Sequence, residues 1–197
     1  MEPEPDLPPL ARMMRESFAD PRRGMRRVLD LGLPEAVAWQ ALALVAVLSA
    51  MLTLVASLLV PAGSAAMMAG GITLRMQIMQ AVLLVVMAGG VHLVGRAMGG
   101  QGTLAGAVVT VAWLQAAMLV FQAAQLVAQV VLPPLAPMVA LASVAAFFWL
   151  LTNFVCELHG FSSRGRVFGT ILLAFFALAF VLAFVLGLAG IVPATEV

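Results

Sequence analysis

The sequence predicts an all-α integral membrane protein, a bundle of five transmembrane helices. Three observations carry this. The chain is 63% hydrophobic and only 10% charged, whereas a soluble domain carries roughly a quarter charged residues. A chain of 197 residues cannot hide so much apolar surface in one core. Its apolar residues are also gathered into runs of about 20 or more, the length that crosses the hydrocarbon layer of a bilayer.

The runs are apolar on every face, which excludes strands of alternating polarity. Backbone groups in lipid must be satisfied within their own segment, so each run is a helix. The first covers Ala36 to Val60, and the second Met76 to Gly95, framed by Arg75 and Arg96. The third, Leu104 to Leu132, is long enough to tilt and is stopped by Pro133 and Pro134. The fourth runs from Leu135 to Cys156, and the fifth from Val167 to Val192, leaving 193–197 as a tail. No pair of spans forms an inverted repeat, which disfavours a carrier built from two matched halves.

Every basic residue is arginine, a bias that points to a GC-rich bacterial genome. Their placement sets the orientation. Arg12, Arg15, Arg22, Arg23, Arg26 and Arg27 precede the first span, Arg96 follows the second, and Arg164 and Arg166 follow the fourth. The opposite side has Arg75 alone. This asymmetry predicts a cytoplasmic N-terminus and an extracytoplasmic C-terminus in a bacterial cytoplasmic membrane. The start of the chain has neither the basic residues nor the early apolar run of a secretory signal, so the first span is expected to direct insertion.

Residues 1–35 read as a cytoplasmic arm. Glu2, Glu4 and Asp6 among prolines make a disordered tip. Leu10, Met13, Met14 and Phe18 form a weak amphipathic set. Asp20 is a good N-cap and Pro21 a good first helical residue, so an interfacial helix begins there. Met25, Val28 and Leu29 form its apolar face, and Arg22, Arg23, Arg26 and Arg27 are positioned to meet anionic head groups or a partner.

The spans carry no Asp, Glu, Lys, Arg or His at mid-depth, where ion-coupled carriers need one. The third does carry Gln115, Gln122, Gln125 and Gln129, which at 100° per residue fall in a stripe about 80° wide. Such a stripe joins helices by hydrogen bonds or lines a polar conduit. Ser49, Thr53 and Ser57 recur every four residues in the first span and suit close packing.

At "CELHG", Glu157 and His159 are expected as the first residues of the fourth span to reach water. Glu157 would pair with Arg164, Arg166 or Arg96, and Gly160 would end the helix in a left-handed conformation. A metal site from His92, Cys156, Glu157 and His159 is conceivable, but no spacing requires it. The lone Cys156 offers neither an intramolecular disulfide nor a zinc spacing. Ser162 and Ser163 near His159 have no acidic residue placed to orient a catalytic histidine. The "GGQG" of Gly99 to Gly102 reads as a tight turn opening the third span, with lipid phosphate as its plausible occupant. It lacks the strand and the Lys-Ser/Thr of a nucleotide loop.

With "DPRRGMRR" entering the first span, "GGQGTLAGA" opening the third and "LHGFSSRGR" between the fourth and fifth, the sequence resembles the Yip domain (Ypt/Rab-interacting protein) family in its bacterial branch. The resemblance covers about Ala19 to Val192. It implies a membrane protein without known catalysis, whose eukaryotic relatives act in vesicle traffic and contact prenylated GTPases. Those relatives carry an aspartate-leucine-aromatic-glycine-proline motif. Here "DLGLP", Asp30 to Pro34, lacks the aromatic, so what carries over is architecture.

The reading of the sequence is therefore a non-enzymatic membrane scaffold or adaptor with no catalytic residue, cofactor or metal. It would organise a membrane or cytosolic partner, or local lipid, through Arg22, Arg23, Arg26, Arg27, Arg96, Gly99, Gly100, Gly102, His159, Arg164 and Arg166. Membrane lipids, anionic head groups included, and a second copy of the chain are the other expected partners; nucleic acid is not. The alternative is a channel or permease for a small polar solute, lined by the glutamine stripe.

Overall fold

A computed structural model of the chain describes residues 9–59 and 73–188. The acidic tip, Val60, the end of the fifth span beyond residue 188 and the tail lie outside the described residues. The helices are α1 (Pro9–Ala19), α2 (Pro21–Leu29), α3 (Glu35–Leu59), α4 (Thr73–Ala97), α5 (Leu104–Val131), α6 (Ala136–His159) and α7 (Arg164–Leu188). A 3-10 turn, Pro133–Leu135, joins α5 to α6. Among the described residues there is no strand.

The five long helices are long and apolar enough to cross a membrane. Several run past the limits set by hydropathy. α6 continues beyond Cys156 to His159, and α7 begins at Arg164 rather than Val167. An apolar run stops at the first charged side chain, but the i to i−4 hydrogen-bond ladder does not. What ends α6 is Gly160, left-handed at φ 73, as its position predicts. Pro133 breaks α5, and Pro137 sits in the first turn of α6, where its missing N–H has no intrahelical partner to lose.

α5 is the central rod. It packs on α3, α4 and α6; α7 packs along α6. Burial along α5 is uneven: its first half is buried from Ala107 to Gln115, while its second half is half-buried to exposed. The outward faces are apolar. Leu58 is 78% exposed, Phe180 74% and Leu141 73%. An apolar exterior of this extent far exceeds the few hundred Å² that soluble proteins expose, and it is the surface that lipid covers.

The N-terminal helices lie across the arginine-rich end of this bundle. Asp20 Oδ1 accepts from the Arg23 N–H at 3.2 Å, and Pro21 opens α2. The apolar face of α2 is not presented to lipid as its amphipathic pattern suggests. Met25 is 0% and Val28 3% exposed, and α2 packs on α6 and α5. The weak amphipathic set before it is a full helix, α1, folded back on α2. Burying Met13, Met14 and Phe18 against the core supplies what local propensity lacks.

The hairpin of α1 and α2 is pinned by three residues. Ser17 is fully buried; its Oγ donates to Met13 O and accepts from Trp113 Nε1–H, both at 2.9 Å. Gly24 permits the approach, since a Cβ there would lie 2.6 Å from the Ser17 Cα. Gly24→Val is therefore expected to lift α1 from α2 and cost about 1–3 kcal/mol by overpacking. A lowered Tm in detergent, with faster proteolysis within residues 9–19, checks this.

Candidate functional site

The arginine-rich end is organised around His159. It is 4% exposed, not the water-facing residue its place at a helix exit suggests. Its ring fills a cradle of glycines. A Cβ on Gly95 would collide with the ring, one on Gly100 would lie 2.5 Å from Nδ1, and one on Gly102 2.7 Å from Cε1. Phe161 stacks on the open face, with ring centroids 5.5 Å apart. Nδ1 accepts from the Gly102 N–H at 3.1 Å, which leaves Nε2–H to donate to Val91 O, also at 3.1 Å. These partners assign the tautomer. The His159 carbonyl accepts from the Gln101 N–H at 3.4 Å.

The "GGQG" segment is thus a turn, as expected, and Gly100 and Gly102 make room in it for a side chain. Gly99 is left-handed at φ 87. The Gly100 N–H reaches back to Gly95 O at 2.9 Å and closes α4. Thr103 then caps α5 by accepting from the Gly106 N–H. One imidazole so ties the end of α4, the loop and the end of α6 together.

Beside it, Glu157 is paired differently from the sequence reading. Its partners are neither Arg164, Arg166 nor Arg96 but Arg26 and Arg22, from the arm. Arg26 Nε donates to Oε1 at 2.6 Å, and Arg22 Nε lies 3.6 Å from Oε2. Arg22 also donates to Phe161 O at 2.6 Å. The Glu157 hydrogen bond, with its charge, holds the Arg26 guanidinium protonated even further above its ordinary range. Arg27 pairs with Glu16 of α1. Of the four arginines of α2, Arg22 and Arg26 therefore fasten the arm to the end of α6, a contact across 131 residues of sequence in the case of Arg26, and Arg27 holds α1 to α2. Local spacing carries no trace of it.

Arg23, Arg96, Arg164 and Arg166 are exposed. Among the described residues their guanidinium groups enter no ion pair. "DLGLP" is the turn between α2 and α3: Gly32 is left-handed at φ 58, and Pro34 O accepts from the Ala38 N–H. The residues considered for a metal do not converge. Both His159 nitrogens and the Glu157 carboxylate are engaged as above, Cys156 is buried, and no group of three potential ligands forms among the described residues.

Deeper in the bundle the glutamine stripe meets Ser49, which is fully buried. Ser49 Oγ donates to Gln122 Oε1 at 2.9 Å. It accepts from Gln80 Nε2 at 3.0 Å and Gln115 Nε2 at 3.2 Å. Ser49 is thus a junction of α3, α4 and α5 rather than a small packing residue, and Gln80 is a member that the one-helix stripe did not reveal. Beyond this junction α3, α5, α6 and α7 diverge around a groove of about 610 Å³ that all four glutamines line.

A family model described as the Yip1 domain matches residues 15–186. No curated protein matches the chain, and no solved structure does. The geometry yields two expectations of its own. Gly95→Ala should cost about 1–3 kcal/mol through the clash with the His159 ring, yet almost nothing in a His159→Ala background that removes the ring, a non-additivity that Tm values of the two singles and the double measure. Ser49→Ala should cost about 1–3 kcal/mol, because it orphans three glutamine amides at once, and a Tm series in detergent reads that as well.

Proposed function

Since the chain belongs to the Yip1 domain family, we propose that it works as a non-enzymatic membrane scaffold whose arginine-rich end faces the cytoplasm and gathers anionic lipid or a protein partner. The observation that supports this reading most is the division of labour among the arginines. Arg22, Arg26 and Arg27 are engaged in ion pairs within the protein, whereas Arg23, Arg96, Arg164 and Arg166, exposed at the ends of three different helices, enter none among the described residues. Guanidinium groups ringing a rigid end make a multidentate match for phosphate. The cytoplasmic side follows from the excess of arginine on that face.

The arm belongs to the same surface. Because Met25 and Val28 are buried in the bundle, the helix holding Arg23 is fixed in place rather than floating on lipid. A partner would meet a preorganised platform, which lowers the ordering cost of binding.

Replacing Arg23, Arg96, Arg164 and Arg166 by Gln should reduce phosphatidylglycerol retained through mild-detergent purification by up to about a thousandfold, at about 1 kcal/mol per arginine. Mass spectrometry of the purified protein measures it. Unchanged retention and an unchanged native pulldown would remove the basis of the proposal. Ser162→Cys tests the orientation: Ser162 is exposed while the native thiol is buried. An impermeant maleimide should label that variant only after the cytoplasmic side is opened.

A further inference from the structure

The groove beyond Ser49 has a composition that defines a ligand, and it lies away from the arginine-rich end. Among the described residues its lining holds no titratable side chain. A charged head there would lie unpaired in a medium of low dielectric constant, at a cost that excludes it. Yet the groove is not simply greasy. Gln125 and Gln129 lie along its floor with Thr53 and Ser143, and the Gln125 Oε1 is buried without a hydrogen-bond partner. Gln115 and Gln122 are held by Ser49, whereas the buried Gln125 Oε1 finds no donor among the described residues. Buried acceptors of this kind call for a donor.

The walls determine the remainder of the ligand. Met118, Phe121, Leu126, Phe147, Phe148 and Phe175 make a long apolar lining. The volume, about 610 Å³, falls within the range of sites that enclose a whole small ligand. α3 packs on α5 and α4, and α7 on α6, but among the described residues no packed seam joins α3 to α7. The groove consequently opens between helices whose outer faces are lipid-exposed. Its inner end is shut by the Ser49 junction and by the buried run of α5 from Ala107, so it is blind in that direction. A blind, uncharged groove with aromatic walls, entered from hydrocarbon and holding one unfilled acceptor, matches an amphiphile with apolar chains and a neutral donor at its head.

We infer that the groove between α3, α5, α6 and α7 binds an uncharged membrane lipid bearing a free hydroxyl, of the diacylglycerol type, with the hydroxyl donating to Gln125 Oε1 and an acyl chain lying along Phe121, Phe147 and Phe148. This site is separate from the arginine-rich surface, and neither reading depends on the other.

The test uses the full chain in nanodiscs with dioleoylglycerol and its methyl ether, in which a methyl group replaces the hydroxyl proton and removes the donor. Native mass spectrometry of the wild type should show the alcohol retained about tenfold over the ether, the worth of one buried hydrogen bond. Gln125→Met, close in shape but without the carbonyl, should bring the ratio near one, while the arginine variants above leave it unchanged. Equal retention of alcohol and ether by the wild type overturns the proposal and needs no variant to fold. A ratio unchanged in Gln125→Met overturns the assigned acceptor. Displacement of the lipid by glycerol at comparable concentration overturns the lipid class in favour of a small solute.

Discussion

The constraint on which the rest depends is the seat of one imidazole. His159 enters the space left by the missing side chains of Gly95, Gly100 and Gly102 and bonds through both ring nitrogens. Three segments distant in sequence are fixed by this contact. α4 is closed at a set point, α5 starts at a set height, and α6 delivers Glu157 to the arm. In lipid the hydrophobic effect does not press helices together, so close backbone approach and interhelical hydrogen bonds have to do it. Here both act at one residue.

From this seat the molecule divides along its length. Near the arginine-rich end, the interior is filled from Ala107 to Gln115 on α5 and from Leu150 to Cys156 on α6. Trp113 reaches across to Ser17, and the arm is laid over the end as a further layer. Past Ser49 the same helices separate. α7 stays attached chiefly through α6, and aromatic rings such as Phe148 against Phe175 span the gap at 6.0 Å. One end is closely packed and charged at its rim, the other opens on a groove that holds no titratable side chain among the described residues, and the two call for different chemistry. Salt screens exposed charge at the first, while the neutral groove has nothing for it to screen.

The sequence was most informative where a residue acts on its own neighbourhood. The N-cap at Asp20, the break at Pro133 and the left-handed Gly160 depend on backbone groups within four residues, and each stands where the pattern predicts. It was least informative where the partner is remote. "GGQG" and "LHG" appear as two separate turns in the chain, and nothing local says that the glycines of one receive the ring of the other. Glu157 had three arginines nearer along the chain or across an adjacent loop than the Arg26 it bonds. The glutamine stripe was visible because it repeats on one helix. Its junction at Ser49 was not, because Gln80 joins it from another.

By itself, the sequence determined that the chain is helical, that it carries five runs long and apolar enough to cross a bilayer, and which end gathers arginine. Those follow from transfer free energy and hydrogen bonding inside a segment, both summed along the chain. Only the tertiary structure decided that the arm is part of the bundle, that His159 is interior, which arginines are engaged and where the bundle opens. Those depend on which surfaces meet, and an all-round apolar helix gives no face by which a partner helix can be foreseen.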